Sequence, residues 1–238
     1  MICYASYQEL DALGETLAYD YMKKRGMQDF SCMDIDGFAA DYLKLKVVYE
    51  SFAEKDKSKL GFFSNGMTPL RVMRNNDSSA VIFPKDTIVL ERYLLRNSES
   101  ARRRFILAHE AAHKILEQHV PQQAEALFYT EFDDQADYSK EEQMRMLSLW
   151  ESYANRLGAA VIMPEFLIER SAKRRGGALP VVCYDGGVFA GTEKMFMQHY
   201  ANDLGVSYSA MVNRFRELDL LKMRPLEEYI TNRLGYGL

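Results

Sequence analysis

Two histidines and a glutamate stand close together near the middle of this 238-residue chain, where His109-Glu110-Ala111-Ala112-His113 has the pattern H-E-x-x-H. The surrounding apolar residues recur at helical spacing, without Gly or Pro, and so predict an α-helix. Residues four apart share one helix face, so both imidazoles would point at one spot. This arrangement offers two ligands for a tetrahedral zinc ion, and Glu110 beside them could take a proton from water.

A catalytic zinc site needs a third protein ligand, and the chain contains several downstream carboxylates. Glu151 is favoured because Asn155 follows it by one helical turn on an otherwise apolar face. Asn155 could hydrogen-bond to a ligand histidine. Without a third ligand, the motif would be a buried helix whose histidines hydrogen-bond to backbone. Other carboxylates stay open as ligands, namely Glu117, Glu125, Glu131, Asp133 and Asp134.

Hydrolysis at such a site also needs a second donor for the negative oxygen that develops on the attacked carbonyl. The sequence does not choose among its polar candidates, which are Tyr129, Tyr153, Arg156 and His199. His119 lies ten residues beyond His109 and off the metal-facing side, so we interpret it as structural or exposed.

The elements around the motif predict an α+β fold with a small sheet beside the motif helix. One strand edge next to that helix could hold an extended peptide by strand addition. A polar, acidic stretch at 122–140 is interpreted as a lid or a solvated insertion. Helices are predicted over 7–24, 33–43 and 141–162, and strands over 45–52, 60–63, 70–73, 80–83 and 87–90.

The chain changes character after Pro164, which should end the third helix. The basic run Arg170–Gly177 predicts a flexible link. Helices predicted over 192–203 and 208–218 have a helix-turn-helix shape, for which a packing role is favoured over DNA reading. We therefore expect a main domain at 1–168, a basic, Gly-containing linker region at 169–190 and a C-terminal helical segment at 191–238.

The amino-acid composition indicates a globular protein and argues against some classes of function. Hydrophobic residues make up 47% and charged residues 27%, as in globular domains rather than disordered chains. The net charge of −4 argues against a nucleic-acid binder that relies on bulk charge. Three well-separated cysteines predict no disulfide framework, and neither a secretion signal nor a membrane-length apolar stretch is visible. A cytoplasmic protein without membrane contact is expected.

Beyond the H-E-x-x-H motif, residues 151–164 read E-S-Y-A-N-R-L-G-A-A-V-I-M-P. Together these two features resemble the ImmA/IrrE metallopeptidases, whose second motif is E-x-x-A-N-x-[FL]-x-A-x-x-[LI]-M-P. Residues 104–108 resemble the family's lead-in R-F-T-L-A, and 200–215 resemble its C-terminal segment. The similarity extends from about Leu45 to Leu220. Differences from the family pattern are Ala111-Ala112, Leu157-Gly158 and the long acidic stretch.

The resemblance implies a zincin-like metallopeptidase core with zinc on His109, His113 and Glu151 and with Glu110 as the base. It also implies a protein substrate, a helix-turn-helix repressor of the Xre type whose cleavage derepresses genes. Two alternatives stay open. One is a non-hydrolytic regulator that binds a repressor or DNA through the zincin scaffold and the C-terminal helices. The other is a zinc hydrolase of small amides, which the peptide-binding strand edge disfavours.

Overall fold

The structure of this protein is a computed structural model that describes residues 5–27, 29–119 and 140–234. For residues 140–147 and 231–234 it describes the backbone only. The chain forms two compact units, Met1–Gln28 with Met33–Pro164, and Asp29–Cys32 with Glu165–Leu238. Some residues singled out in the sequence lie outside the described ranges, namely Glu125, Tyr129, Glu131, Asp133, Asp134 and nearly all of the acidic stretch 122–140.

The helices of the first unit begin and end close to where the sequence predicts. Helix α1 begins after Ser6, whose hydroxyl accepts the Glu9 N–H while the Glu9 carboxylate accepts the Ser6 N–H at 2.7 Å. The other long helices are the motif helix α3 and the following helix α4. Their bounds are α1 Tyr7–Lys24, α2 Ile35–Gly37 with a π-helical continuation Phe38–Tyr42, α3 Ser100–His119 and α4 Lys140–Ile162.

All five predicted strands are present. A three-stranded sheet has the order β1-β5-β2, with β5 parallel to β1 and antiparallel to β2. Strands β3 and β4 form an antiparallel hairpin, whose Leu70 and Val72 pack with Phe83 and Val89. The bounds are β1 Lys46–Glu50, β2 Gly61–Ser64, β3 Pro69–Arg74, β4 Asp77–Ile82 and β5 Thr87–Glu91.

Strand β2 is an edge strand, and α3 packs against it and against β5. The C=O groups of Leu60 and Ser64 accept the N–H groups of Glu91 and Asp86, at 2.9 and 3.1 Å. Backbone groups of alternate residues face opposite sides of an antiparallel strand. The N–H and C=O groups of Gly61 and Phe63 therefore point away from β5, towards the free edge.

Helix α4 packs against both α1 and α3, and small residues allow the close approach. Gly14 of α1 lies against Ala160, and a Cβ at Gly14 would be 2.5 Å from the Ala160 Cβ. Gly158 lies against α3, where a Cβ would be 3.0 Å from the backbone of Ala108. The absence of a side chain at residue 158 thus sets how closely α3 and α4 meet.

The second unit contains helices α5 to α8 and the parallel strand pair β6 and β7. Gly205, with φ of 67°, ends α6, and the Ser207 side chain accepts the Ala210 N–H to begin α7. The predicted helix-turn-helix is therefore present. The bounds are α5 Glu165–Arg175, β6 Val181–Tyr184, α6 Gly191–Leu204, α7 Tyr208–Glu217, β7 Leu221–Arg224 and α8 Leu226–Leu234.

The interpretation of Arg170–Gly177 as a flexible link is wrong, because α5 continues to Arg175. The reason is a carboxylate distant in sequence. Asp203 on α6 accepts from the Ser171 hydroxyl at 2.6 Å, from Arg174 Nη2 at 2.7 Å and from Arg175 Nε at 3.1 Å. The hydrogen bond from Arg175 holds the pKa of Asp203 well below its usual range. The larger stretch 169–190 also contains all of β6.

The polar residues of α7 support the packing role of the helix-turn-helix. Arg214 is fully buried, with Nη1 3.2 Å from the Glu217 carboxylate. Asn213 and Arg216 are exposed and hydrogen-bond to each other at 3.1 Å. The Arg214 side chain is thus part of this unit's interior and is not exposed for contact with nucleic acid. Within the described residues, no helix has the length and apolarity needed to cross a membrane.

Candidate metal centre

The two motif histidines face the same open side of α3. His109 and His113 are separated by one helical turn, and their Nε2 atoms lie 3.2 Å apart. The opposite side of the helix is anchored by apolar residues, since Ala112, Ile115 and Leu116 are fully buried. The amphipathic pattern of α3 therefore fixes the direction in which both imidazoles point.

Glu151 on α4 reaches the same spot. Its Oε2 is 3.1 Å from His109 Nε2, and its Oε1 is 3.7 Å from His113 Nε2. One ligand atom from each of the three residues lies within 4.8 Å of the others. Among the described residues, this is the group of His, Cys, Asp or Glu side chains that could hold a metal ion. The side chain of Glu151 is 56% exposed, whereas the histidines are largely buried.

The spacing of these atoms fits a small divalent cation. Zinc–nitrogen and zinc–oxygen bonds of about 2.0–2.2 Å at tetrahedral angles place neighbouring ligand atoms about 3.4 Å apart. In the structure, His109 Nε2 is 3.1 Å from Glu151 Oε2, the two Nε2 atoms are 3.2 Å apart, and His113 Nε2 is 3.7 Å from the other carboxylate oxygen, Oε1. Two neutral imidazoles and one carboxylate are also a donor set typical of catalytic zinc, with a fourth position left for water.

Asn155 stands where it can hold the first histidine in place. Its Oδ1 is 3.0 Å from His109 Nδ1, and an amide oxygen can only accept, so the Nδ1–H donates. This bond selects the tautomer whose Nε2 lone pair is free to bind a metal. The predicted contact between Asn155 and a motif histidine is present, while the metal-binding role of His109 stays a prediction.

Glu110 is buried beside the ligands and beside the edge strand. Only 7% of the residue is exposed, and burial raises the pKa of its carboxyl to about 7. Gly61 leaves the space for this carboxylate, because a Cβ at residue 61 would be 2.2 Å from Glu110 Oε1. A carboxyl whose pKa lies near neutrality, next to a candidate metal site, is suited to taking up and releasing a proton.

The three ligand side chains have unequal proton affinities. Burial opposes charge on His109, but the Glu151 hydrogen bond and the nearby carboxylates outweigh it, so the pKa of His109 is raised. Burial, together with the charge of His109, lowers the pKa of His113 to about 4. The hydrogen bond from His109 lowers the pKa of Glu151.

These residues line a cleft of about 750 Å³. Its sides are the open face of α3, the free edge of β2 and the part of α4 that carries Trp150, Glu151 and Asn155. The volume is within the usual range for small-ligand clefts and far above what a metal ion with a few waters needs. The cleft can therefore take a segment of a larger substrate alongside the metal ligands.

The remaining sequence candidates have other surroundings. Glu117 lines the cleft with its carboxylate 4.0 Å from Lys114 Nζ. The His119 ring bonds to the Ile115 carbonyl at 2.9 Å, as expected for a structural histidine. Tyr153 is buried against Tyr7, Arg156 pairs with Asp11 through Nε at 3.0 and 3.1 Å, and His199 lies on α6 in the second unit.

Two residues of the site were not predicted from the sequence. Gly61 makes room for Glu110, and a glycine at the start of a strand was a signal that another group approaches closely. Lys59 lines the cleft, with its ammonium 4.7 Å from the centre of the Phe62 ring. No motif marks this lysine, since its place beside the ligands depends on the fold.

We expect the purified protein to bind one equivalent of zinc. His113→Ala should abolish this binding by removing a ligand. Asn155→Ala should weaken it about 10- to 100-fold, because the His109 ring loses its orienting bond. Competition with a chelating dye measures both effects, with Asn213→Ala, on the exposed face of α7, as control. Unchanged affinity in Asn155→Ala would contradict the orienting role.

The stability of the metal-free protein should depend on pH through Glu110. Its folded pKa of about 7 exceeds the ordinary value of 4.5, so stability falls as pH rises from 4.5 through 7. Glu110→Gln removes this loss and should gain roughly 2–3 kcal/mol relative to the wild type between pH 5 and pH 8. Urea unfolding in EDTA measures the gain. The exposed substitution Glu227→Gln should show none, and an equal effect in both variants would refute the prediction.

Comparison with known proteins agrees with this geometry. A family model, Peptidase_M78, described as the IrrE N-terminal-like domain, matches residues 40–216, and this range includes both motif histidines, Glu110, Glu151 and Asn155. No curated protein matches the chain. The matched range covers about three quarters of the sequence, and the mixed helix-and-sheet architecture is consistent with this peptidase domain. The chain belongs to the ImmA/IrrE family of metallopeptidases.

Proposed function

We propose that this protein is a cytosolic zinc-dependent endopeptidase that cleaves a helix-turn-helix repressor of the Xre type and so derepresses genes. The observation that carries the catalytic part is the convergence of two imidazoles, one carboxylate and a buried glutamate in one cleft. Membership of the ImmA/IrrE family supports peptidase chemistry in general. The repressor as substrate rests on the family resemblance.

Each residue of the site has a role in this reaction. His109, His113 and Glu151 would hold zinc, which when bound polarises the substrate carbonyl and acidifies water. Glu110 takes the proton from the attacking water and later transfers it to the leaving amine. Burial favours the protonated form of this carboxyl, which helps it to take up the proton. Asn155 keeps the His109 ring in position through the Nδ1 bond.

The free edge of β2 offers a way to hold the substrate. The outward-facing groups of Gly61 and the C=O of Phe63 can pair with an extended peptide as an added strand, while the Phe63 N–H donates to the Glu110 carboxylate. Such a peptide would lie in the cleft between β2 and the histidines of α3, with a backbone carbonyl beside the ligands. This arrangement favours a peptide over a small amide, because it recognises the main chain on both sides of the bond to be cut.

The repressor hypothesis is tested by incubating the zinc-loaded protein with purified Xre-type repressors and following cleavage by mass spectrometry. We expect one or a few discrete cuts, and Glu110→Gln should abolish them while still binding zinc. A stable complex with intact repressor, equally tight for both proteins, would instead identify a non-hydrolytic regulator. Cleavage of unrelated unfolded proteins, but not of repressors, would retain the peptidase and reject the substrate.

Gly61→Ala should reduce activity without unfolding the protein. The new Cβ would lie 2.2 Å from Glu110 Oε1 and 2.7 Å from its Cδ and Cγ, so we expect this side chain to shift while the strand stays in place. A displacement of about 1 Å can lower the rate about 100-fold. Zinc content and peptide hydrolysis are the two measurements. Gly191→Ala is the matched control, because no atom lies within 4 Å of its added Cβ. Wild-type activity in Gly61→Ala would show that Glu110 tolerates the shift.

A further inference from the structure

We propose that Lys59 is the second electrophile of this active site, the group that donates a hydrogen bond to the carbonyl oxygen as it becomes negative. This inference rests on the proposed peptidase function and extends it to a residue that neither the motif nor the family pattern marks. A bound cation alone would stabilise the negative carbonyl oxygen from one direction only. A second donor, held in place beforehand, is commonly worth a large part of the rate in acyl transfer.

The position of Lys59 is the first argument. It lies two residues before Gly61, whose Cα stands directly against the Glu110 carboxylate, and it lines the same cleft as His109 and His113. The residue is half-buried rather than extended into solvent. It therefore stands at the end of the edge strand that would hold the substrate, on the side where the metal ligands converge.

The electrostatic surroundings are the second argument. The Lys59 ammonium lies 4.7 Å from the centre of the Phe62 ring, a contact that restrains the long side chain. In the part of the chain that the structure describes, no carboxylate forms a salt bridge with this ammonium. It lines the same cleft as Glu110 and Glu151, the two carboxylates of the site.

Within the described residues, three other polar groups that could act as donors have partners or positions away from the metal ligands. Tyr153 is buried against Tyr7, and Arg156 is paired with Asp11. Arg102 lines the cleft but lies seven residues before His109, about 10 Å along α3, with its guanidinium 3.9 Å from Glu99. Among the cations described in the cleft, Lys59 thus fits best beside a carbonyl at the metal ligands.

The step balances in atoms and charge. The water oxygen forms a bond to the carbonyl carbon, its proton goes to Glu110, and the carbonyl π electrons move onto the carbonyl oxygen. Lys59 donates an N–H to this anionic oxygen and keeps its proton. When the electrons return, the C–N bond breaks and Glu110 gives its proton to the leaving nitrogen. Lys59 therefore acts mainly on the transition state and adds little to binding of the uncharged peptide.

The test compares Lys59→Met and Lys59→Arg with the control Lys57→Met, which removes an exposed charge from the same loop. The probes are an internally quenched fluorescent peptide that the zinc-loaded wild type cleaves, and the same peptide with a phosphinate at the scissile bond. The phosphinate mimics the anionic oxygen. Its affinity is a measurement separate from turnover, and zinc content is determined for every variant.

For Lys59→Met we expect kcat to fall about 100- to 1,000-fold with KM within about threefold of wild type. Phosphinate affinity should fall at least tenfold, with zinc content unchanged. Lys59→Arg should recover part of both losses, and Lys57→Met should match wild type.

A rise in KM with unchanged kcat would overturn the proposal in favour of simple substrate binding, and so would unchanged phosphinate affinity. Zinc-loaded wild type that cleaves no peptide would remove the proposed function and this inference together, whereas normal cleavage by Lys59→Met would remove this inference alone.

Discussion

The site depends on the close contact between α3 and α4 at Gly158. A Cβ at this position would be 3.0 Å from the backbone of Ala108 and His109, so the two helices meet almost main chain to main chain. Glu151 lies seven residues earlier on α4, two turns and about 10 Å along the same side. The contact at Gly158 therefore sets the height at which the carboxylate of α4 meets the imidazoles of α3. On its other side, α4 is held against α1 by Gly14 and by the Asp11–Arg156 pair.

The surroundings of each group then give different pKa values to side chains of the same type. Glu110 and Glu151 are both carboxylates near the same histidines, yet burial raises the pKa of the first while a hydrogen bond lowers that of the second. One is thereby suited to carry a proton and the other to carry a negative charge towards a cation. The same fold gives opposite properties to His109 and His113, whose pKa values shift in opposite directions.

Local features of the sequence predicted the elements and the core of the candidate site. The spacing of the motif histidines fixes their shared face in any α-helix, and the polar pair Glu151 and Asn155 follows the same rule on α4. Features that depend on distant residues were not predictable in this way. The basic run after Arg170 was misread because its partner, Asp203, lies about 30 residues later and in another helix. Gly61 and Lys59 were missed because only the packing of β2 on α3 brings them to Glu110.

The unequal exposure of the three ligands has a kinetic consequence. Both imidazoles are held inside by the packing of α3, while the Glu151 side chain is more than half exposed on the cleft side. A cation would therefore enter and leave past the carboxylate, through the open side of the cleft. A substrate bound in the cleft would trap the ion, whereas an empty cleft would let a chelator compete with the three side chains for it. Metal uptake and release are thus expected to depend on whether the cleft is occupied, and they do not require unfolding of the protein.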